Sequence, residues 1–164
     1  MRKQKLKKIC NKYRKKDGSF DVIVPSSGGK DSVYASHILK YKYGMNPLTV
    51  TWAPHLYTYI GQKIFHEWMH TGGLDNILYT PNGKLHREMT KNAFLNLLHP
   101  FQPFIVGQRI IGPAMAKKFG VKLVMYGENQ AEYGNAIEEN TNPIMNMDFF
   151  STDEVKAMQF GGVS

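Results

Sequence analysis

Short apolar runs rich in β-branched residues alternate along this chain with longer stretches whose apolar residues recur every three or four positions. Val22-Ile23-Val24, Leu48-Thr49-Val50-Thr51-Trp52, Asn76-Ile77-Leu78-Tyr79-Thr80 and Val121-Lys122-Leu123-Val124-Met125-Tyr126 read as four strands. Helices are predicted over Val33–Tyr43, over Ile60–His70, and over Leu85–Leu98, where Leu85, Met89, Ala93 and Leu97 form a core stripe. Pro100 and Pro103 end the last of these, Phe101–Ile111 is irregular in pattern, and Pro113 begins a short helix to Lys118. Gly44, Gly72-Gly73 and Gly120 are the stops. Short strands separated by helices make parallel, right-handed crossover units, so the expected fold is α/β: a doubly wound, mainly parallel, Rossmann-like sheet. Ligands of such sheets sit at the carboxyl ends of the strands, near the reversal of strand order. The fourth strand is expected beside the first, across that switch point. From Tyr133 onward the periodicity is lost and no strand is read.

The first strand runs directly into Pro25-Ser26-Ser27-Gly28-Gly29-Lys30-Asp31-Ser32. Gly28 and Gly29 open backbone angles closed to other residues, so successive amides can turn inward on an anion with no Cβ in the way. Ser27 and Ser32 add hydroxyl donors, Lys30 a mobile positive charge, and Asp31 a magnesium ligand or helix cap at the positive end of the next helix. The loop is therefore read as a phosphate site. Neither GxxxxGK[ST] nor GxGxxG is present, so two familiar phosphate loops are set aside. Val24 and Pro25, with Thr51 and Trp52, are the expected walls for adenosine, joined by Gly127 from the fourth strand's carboxyl loop.

Other residues carry candidate chemistry. His55 and Tyr57 stand in a loop on the same carboxyl face and read equally well as substrate contacts or as packed aromatic surface. Gln108, Arg109 and Asn129 are candidates for a substrate pocket. Glu128 and Asn129, directly after the fourth strand, offer oxygen atoms of the kind magnesium accepts; Glu132 reads as readily as a solvated turn residue. His66-Glu67-Trp68-Met69-His70 is a literal HExxH, whose two histidines share a helix face as in zinc proteases. The longer HExxHxxGxxH pattern matches through Gly73 and fails at Asn76. No catalytic nucleophile or triad is assigned.

Composition changes this picture in one place. The formal charge of +8 is concentrated at the N-terminus, where Arg2, Lys3, Lys5, Lys7, Lys8, Lys12, Arg14, Lys15 and Lys16 precede the first acid, Asp17; the rest of the chain carries −1. That basic head is expected to be a helix packing Leu6, Ile9, Cys10 and Tyr13 on the body, a reading preferred to RNA binding. The expected organisation is a basic helical segment over 1–19, a nucleotide-binding domain over 20–132 and a C-terminal segment over 133–164. One cysteine, Cys10, excludes an internal disulfide and a cysteine zinc site. No run approaches about 20 apolar residues, and no signal-peptide core is visible, so a cytoplasmic protein with neither membrane nor nucleic acid as partner is expected.

SGGKDS, after an apolar strand and before a helix, resembles the SGGxDS signature of the PP-loop ATP pyrophosphatases, whose fold is of the adenine nucleotide alpha hydrolase type. Within that superfamily the chain resembles the N-acetyl sugar amidotransferases of surface-polysaccharide and flagellin-sugar biosynthesis. The matching blocks are FDVIVPSSGGKDS, YGMNPLTVTWAPHLYT, ILYTPN, HPFQPFIVGQ and LVMYGEN, spread over residues 20–129. The resemblance implies ATP and Mg2+ as cofactors, cleavage of ATP to AMP and pyrophosphate, and conversion of an N-acetyl group on a sugar to an acetamidino group with ammonia from a glutaminase subunit. The family begins with a cysteine-rich segment and continues well past the GEN block, so the resemblance implies that this chain is short and that residues 133–164 open a substrate region. A tRNA-modifying PP-loop enzyme and a nucleotide-binding module without turnover are the alternatives, and a homo-oligomer is left open.

Overall fold

The computed structural model describes residues 2–128. In chain order the elements are α1 (Arg2–Tyr13), β1 (Val22–Pro25), α2 (Lys30–His37) continued by a π-helical turn (Ile38–Lys42), β2 (Pro47–Trp52), α3 (Tyr59–Gly72), β3 (Asp75–Tyr79), α4 (Gly83–Leu97) and α5 (Gln102–Lys118). The chain divides into two units. The first comprises 1–80 and 107–127, and the second comprises 81–106 and the chain from 128 onward.

The first unit holds a parallel sheet in the order β1-β2-β3, with Val22 beside Pro47 and Leu48 beside Asp75. On the other edge of β1 lies the 121–126 segment, where the Ile23 amide donates to the Leu123 carbonyl (2.9 Å) and the Met125 amide donates to the Ile23 carbonyl (2.9 Å). Sequential strands thus spread to one side of β1 while the later segment returns to the other, which creates a switch point at β1's carboxyl end. The fold is α/β and compatible with a Rossmann-like sheet. The expected fourth strand is reduced to a single parallel bridge at Val124, because only its two bonds to Ile23 form a ladder.

Alternation along the strands builds two cores. Ile23, Leu48 and Val50 pack with Ile111 and Ala116 of α5 on one face. Val22 and Val24 pack with Cys10 of α1, Leu39 and Met45 on the other. A sheet apolar on both faces with helices over each is what the continuous VIV run requires. Cys10 is fully buried, and burial raises its thiol pKa, so it is a small core hydrophobe rather than a reactive group. The expected stripe of α1 therefore docks through Leu6 and Cys10, whereas Ile9 is 40% exposed. Arg14, just past the helix, donates to the carbonyls of Tyr43 and Gly44 and ties α1 to the end of the π-helical turn. The other basic residues of α1 point to solvent.

Helix boundaries differ from the periodicity in instructive ways. The stretch predicted as one helix from Val33 to Tyr43 begins at Lys30 and widens into the π turn, from which the Tyr41 hydroxyl donates to the Gly72 carbonyl (2.9 Å) and Lys40 donates to the Gly73 carbonyl. Two carbonyls at the end of α3, which have no partner within their own helix, are satisfied in this way. Residues 102–118 form one helix rather than an irregular stretch followed by a short helix. Pro103 falls in its first turn, where a missing amide costs nothing. Pro113 lies inside it and cannot donate to Arg109 four residues back; the Tyr126 hydroxyl donates to that carbonyl instead (3.3 Å).

In the second unit Asn82 caps α4, its side-chain oxygen accepting from the amides of Lys84 (3.0 Å) and Leu85 (3.2 Å). Of the predicted stripe Ala93 is fully buried and Met89 and Leu97 are half-buried, while Leu85 is 40% exposed and the neighbouring His86 is buried instead.

Candidate functional site

β1 ends at Pro25, with the Ser26 amide donating to the Val50 carbonyl (2.9 Å), and the chain then turns sharply into α2. Gly28 makes the turn at φ +81°, a conformation that favours glycine. Its position is also crowded, since a Cβ there would stand 3.2 Å from the Phe65 ring and 3.4 Å from the Phe65 Cα. Phe65, buried on α3, thus forms the back wall of the loop.

A pair of buried hydroxyls holds the loop's shape. Ser26 Oγ accepts from the Gly28 amide (3.2 Å) and donates to Ser32 Oγ (2.8 Å), and Ser32 Oγ donates to the Gly29 carbonyl (3.0 Å). Ser32 was expected to offer its hydroxyl to an anion; here that hydroxyl is committed to the loop itself. The first-turn amides of α2 have no partner within their own helix, and its N-terminus carries no side-chain cap. An uncapped helix start combined with a glycine turn is favourable for an anion.

Ser27 is exposed, as are Gly29 and Lys30. Lys30 Nζ lies 3.3 Å from Asp31 Oδ1, with the two side chains 91% and 44% exposed. An ion pair that open to water contributes little, so either group is cheap to redirect, the ammonium to a phosphate and the carboxylate to a cation. Gly127 closes the other side of the switch point: a Cβ on it would stand 2.6 Å from the carbonyl carbon and oxygen of Asp31 and from the Ser32 amide. The 121–127 segment therefore lies directly on the first turn of α2.

The proposed adenosine walls are placed less openly. Val24 is fully buried between α1 and α2, and Pro25 lies under Gly112 of α5. Thr51 is buried and accepts from Asn76 Nδ2 (2.9 Å), which also donates to Thr49 Oγ1 (3.0 Å). The Trp52 indole packs on the Tyr79 ring at 4.8 Å and beneath Gly107. What β2 presents at its carboxyl end is thus chiefly backbone. His55 is half-buried, which lowers its pKa; Tyr57 is 43% exposed, and its partial burial raises its own. Gln108 and Arg109 are half-buried on α5. The Tyr126 phenol has a pKa raised by burial and partly restored by the Arg109 charge. Glu128 is exposed and follows Gly127 in the chain, while Asn129, Glu132 and the segment 133–164 lie outside the described residues.

The HExxH stretch lies on α3 with Phe65 and Trp68 turned into the core and His66, Glu67 and His70 turned to solvent. Among the described residues no group of three or more His, Cys, Asp or Glu side chains is placed to hold a metal ion.

Ser26, Phe65 and Tyr126 are the structural supports that sequence reasoning missed. The doubled serine before the two glycines was the available signal for Ser26, since a polar residue closing an apolar strand must find a partner if it is buried. No protein-family model matches this chain, and no curated protein matches it.

Proposed function

We propose that the chain binds ATP at the Ser26–Ser32 loop and uses it, with Mg2+, to adenylate the amide oxygen of an N-acetyl sugar, releasing pyrophosphate. Ammonia then attacks the activated carbon and AMP leaves, giving an acetamidino sugar. The observation that carries this reading is the loop itself: a glycine turn at the switch point, held by the Ser26–Ser32 hydroxyl pair, opening onto an uncapped helix start with Lys30 and Asp31 at its rim. The resemblance of SGGKDS and its neighbouring blocks to the N-acetyl sugar amidotransferases supplies the substrate class.

Each residue has a role in this reading. Amides at the start of α2 and the Lys30 ammonium stabilise the pyrophosphate as it departs, the kind of preorganised electrostatic help that dominates many reactions. Asp31 is the carboxylate offered to Mg2+, which when bound neutralises phosphate charge. No side-chain nucleophile is needed, because the substrate's own oxygen attacks. A glutaminase partner supplies the ammonia.

Binding is tested by calorimetric titration of the full chain with a non-hydrolysable ATP analogue and Mg2+. Gly28→Ala introduces both a left-handed alanine and a contact at 3.2 Å with Phe65. Its affinity is expected to fall at least tenfold, an effect of about 1.4 kcal/mol. Undiminished affinity in this variant, or none in the parent, would count against the loop as the nucleotide site.

A further inference from the structure

We propose that His66 and His70 form a chelating site for a borderline divalent transition metal, Cu2+, Ni2+ or Zn2+, on the outer face of α3. The two imidazoles stand one helical turn apart, stacked with their planes 12° apart and their centroids 6.2 Å apart, and both are exposed. A metal held by ring nitrogens at about 2.1 Å lies roughly 3.2 Å from each centroid, so two cis ligands need centroids about 5 Å apart. Closing the observed gap asks the two rings to approach by about 1 Å, a change of side-chain torsions with the backbone left in place.

The backbone beneath them is fixed. Thr58 caps the start of α3, accepting from the Gly61 amide at 3.0 Å, and Gly73 ends it in the left-handed conformation at φ +56°. Phe65 and Trp68, only 5% and 7% exposed, anchor the opposite face. The histidines are thus held within about 1 Å of chelating spacing before any metal arrives, and binding does not have to order the helix. Glu67 lies between them in sequence but pairs with Lys63 at 3.8 Å, so the protein supplies two nitrogens and water completes the shell. With two protein ligands and open positions, the site is a surface chelate and not the closed tetrahedral centre of a structural zinc site. Imidazole donors select metals in the order expected for nitrogen ligands, copper first, and disfavour Mg2+. The turn clipped by the metal directly follows Phe65, whose ring backs Gly28, so the ion would brace the helix behind the phosphate loop.

The test uses the full chain without an affinity tag, stripped with a chelator and titrated calorimetrically with CuCl2, NiCl2, ZnCl2 and MgCl2. Thermal melts in the same ions provide a second readout. One metal per chain is expected for the first three, none at this site for magnesium, and a rise in Tm of about 5 °C at a hundredfold excess over Kd. His66→Gln and His70→Gln, both at exposed helical positions, should each weaken binding about a hundredfold, because the second bond is then no longer intramolecular. The double variant Ile64→His/His66→Gln keeps six histidines but sets the pair six residues apart, and it should bind no better than the single variants. Equal affinity in the parent and either single variant, full affinity in the re-spaced variant, or no binding by the parent would overturn the proposal. This outcome is independent of whether the chain turns over ATP.

Discussion

Gly127→Ala is expected to lower the affinity for an ATP analogue at least tenfold and to reduce Tm by about 5 °C. The added methyl would stand 2.6 Å from the Asp31 carbonyl and the Ser32 amide, so what it meets is backbone and not the end of a flexible side chain. Neither side can retreat cheaply. The 121–127 segment is held to β1 by the two bonds around Ile23 and to α5 by the Tyr126 hydroxyl, and the start of α2 is held by Val33 donating to Gly29 (3.0 Å) and by the Ser26–Ser32 pair. Overpacking of this sort costs about 1–3 kcal/mol, and here the movement it forces falls on the first turn of α2, where the proposed phosphate site lies. Gly127 is not among the positive-φ glycines, so alanine carries no conformational penalty there and the effect is wholly steric. Gly120→Ala is the matched control. Gly120 has φ +61° with nothing within 4 Å of an added Cβ, so its replacement should cost about 1 kcal/mol of strain and leave nucleotide affinity unchanged. Denaturation midpoints and calorimetry on the two variants separate the cases, and equal behaviour would contradict the contact.

Gly107→Ala is expected to destabilise the protein by about 2 kcal/mol, although the same change inside an exposed helix gains up to about 1 kcal/mol. The sign reverses because an added Cβ would stand 2.2–2.6 Å from the Trp52 indole carbons. The indole has little room to swing aside, being packed against the tilted Tyr79 ring at 4.8 Å and against the α5 face of the sheet. At this chain length the loss corresponds to a fall in Tm of about 4–8 °C. Combining Gly107→Ala with Trp52→Leu should restore part of it, giving a coupling of about 1 kcal/mol in a double-mutant cycle, because the smaller side chain yields the space. Additive losses would show that the glycine is not there for the indole.

The parts of the fold that were readable from sequence are those whose causes are local. Val22-Ile23-Val24 followed by two glycines and a helix needed only β-branching, the loss of Cβ and a return to helical spacing, and the structure has strand, left-handed turn and helix in that order. The docking of α1 through Leu6 and Cys10 followed from a stripe within one short helix. The order of α5 was not readable, because its internal proline, Pro113, is tolerated through Tyr126, a residue 17 positions away from the carbonyl it satisfies. Val121–Tyr126 has the composition of a strand, yet the number of ladder bonds it makes is decided by its neighbour β1, and it obtains two. In α4 the predicted stripe holds at Met89, Ala93 and Leu97, but in the first turn the tertiary surroundings bury His86 in place of Leu85, a local choice that periodicity alone does not resolve. At the site, the glycines and the charged pair were legible by residue type. The inward commitment of Ser32 was not, since a hydroxyl serves an anion and a backbone carbonyl equally well until the geometry is known.

The proposed reaction requires the Ser26–Ser32 loop to hold an ATP that is cleaved between its α and β phosphates. Product analysis tests it most directly: ATP, Mg2+ and ammonium are incubated with the full chain, with and without a panel of UDP-linked N-acetyl sugars and the glutaminase partner, beside Asp31→Ala. AMP and pyrophosphate that appear only with sugar present and with Asp31 intact are the predicted result. Formation of ADP and phosphate in place of AMP, or AMP formation unchanged in Asp31→Ala, would contradict it.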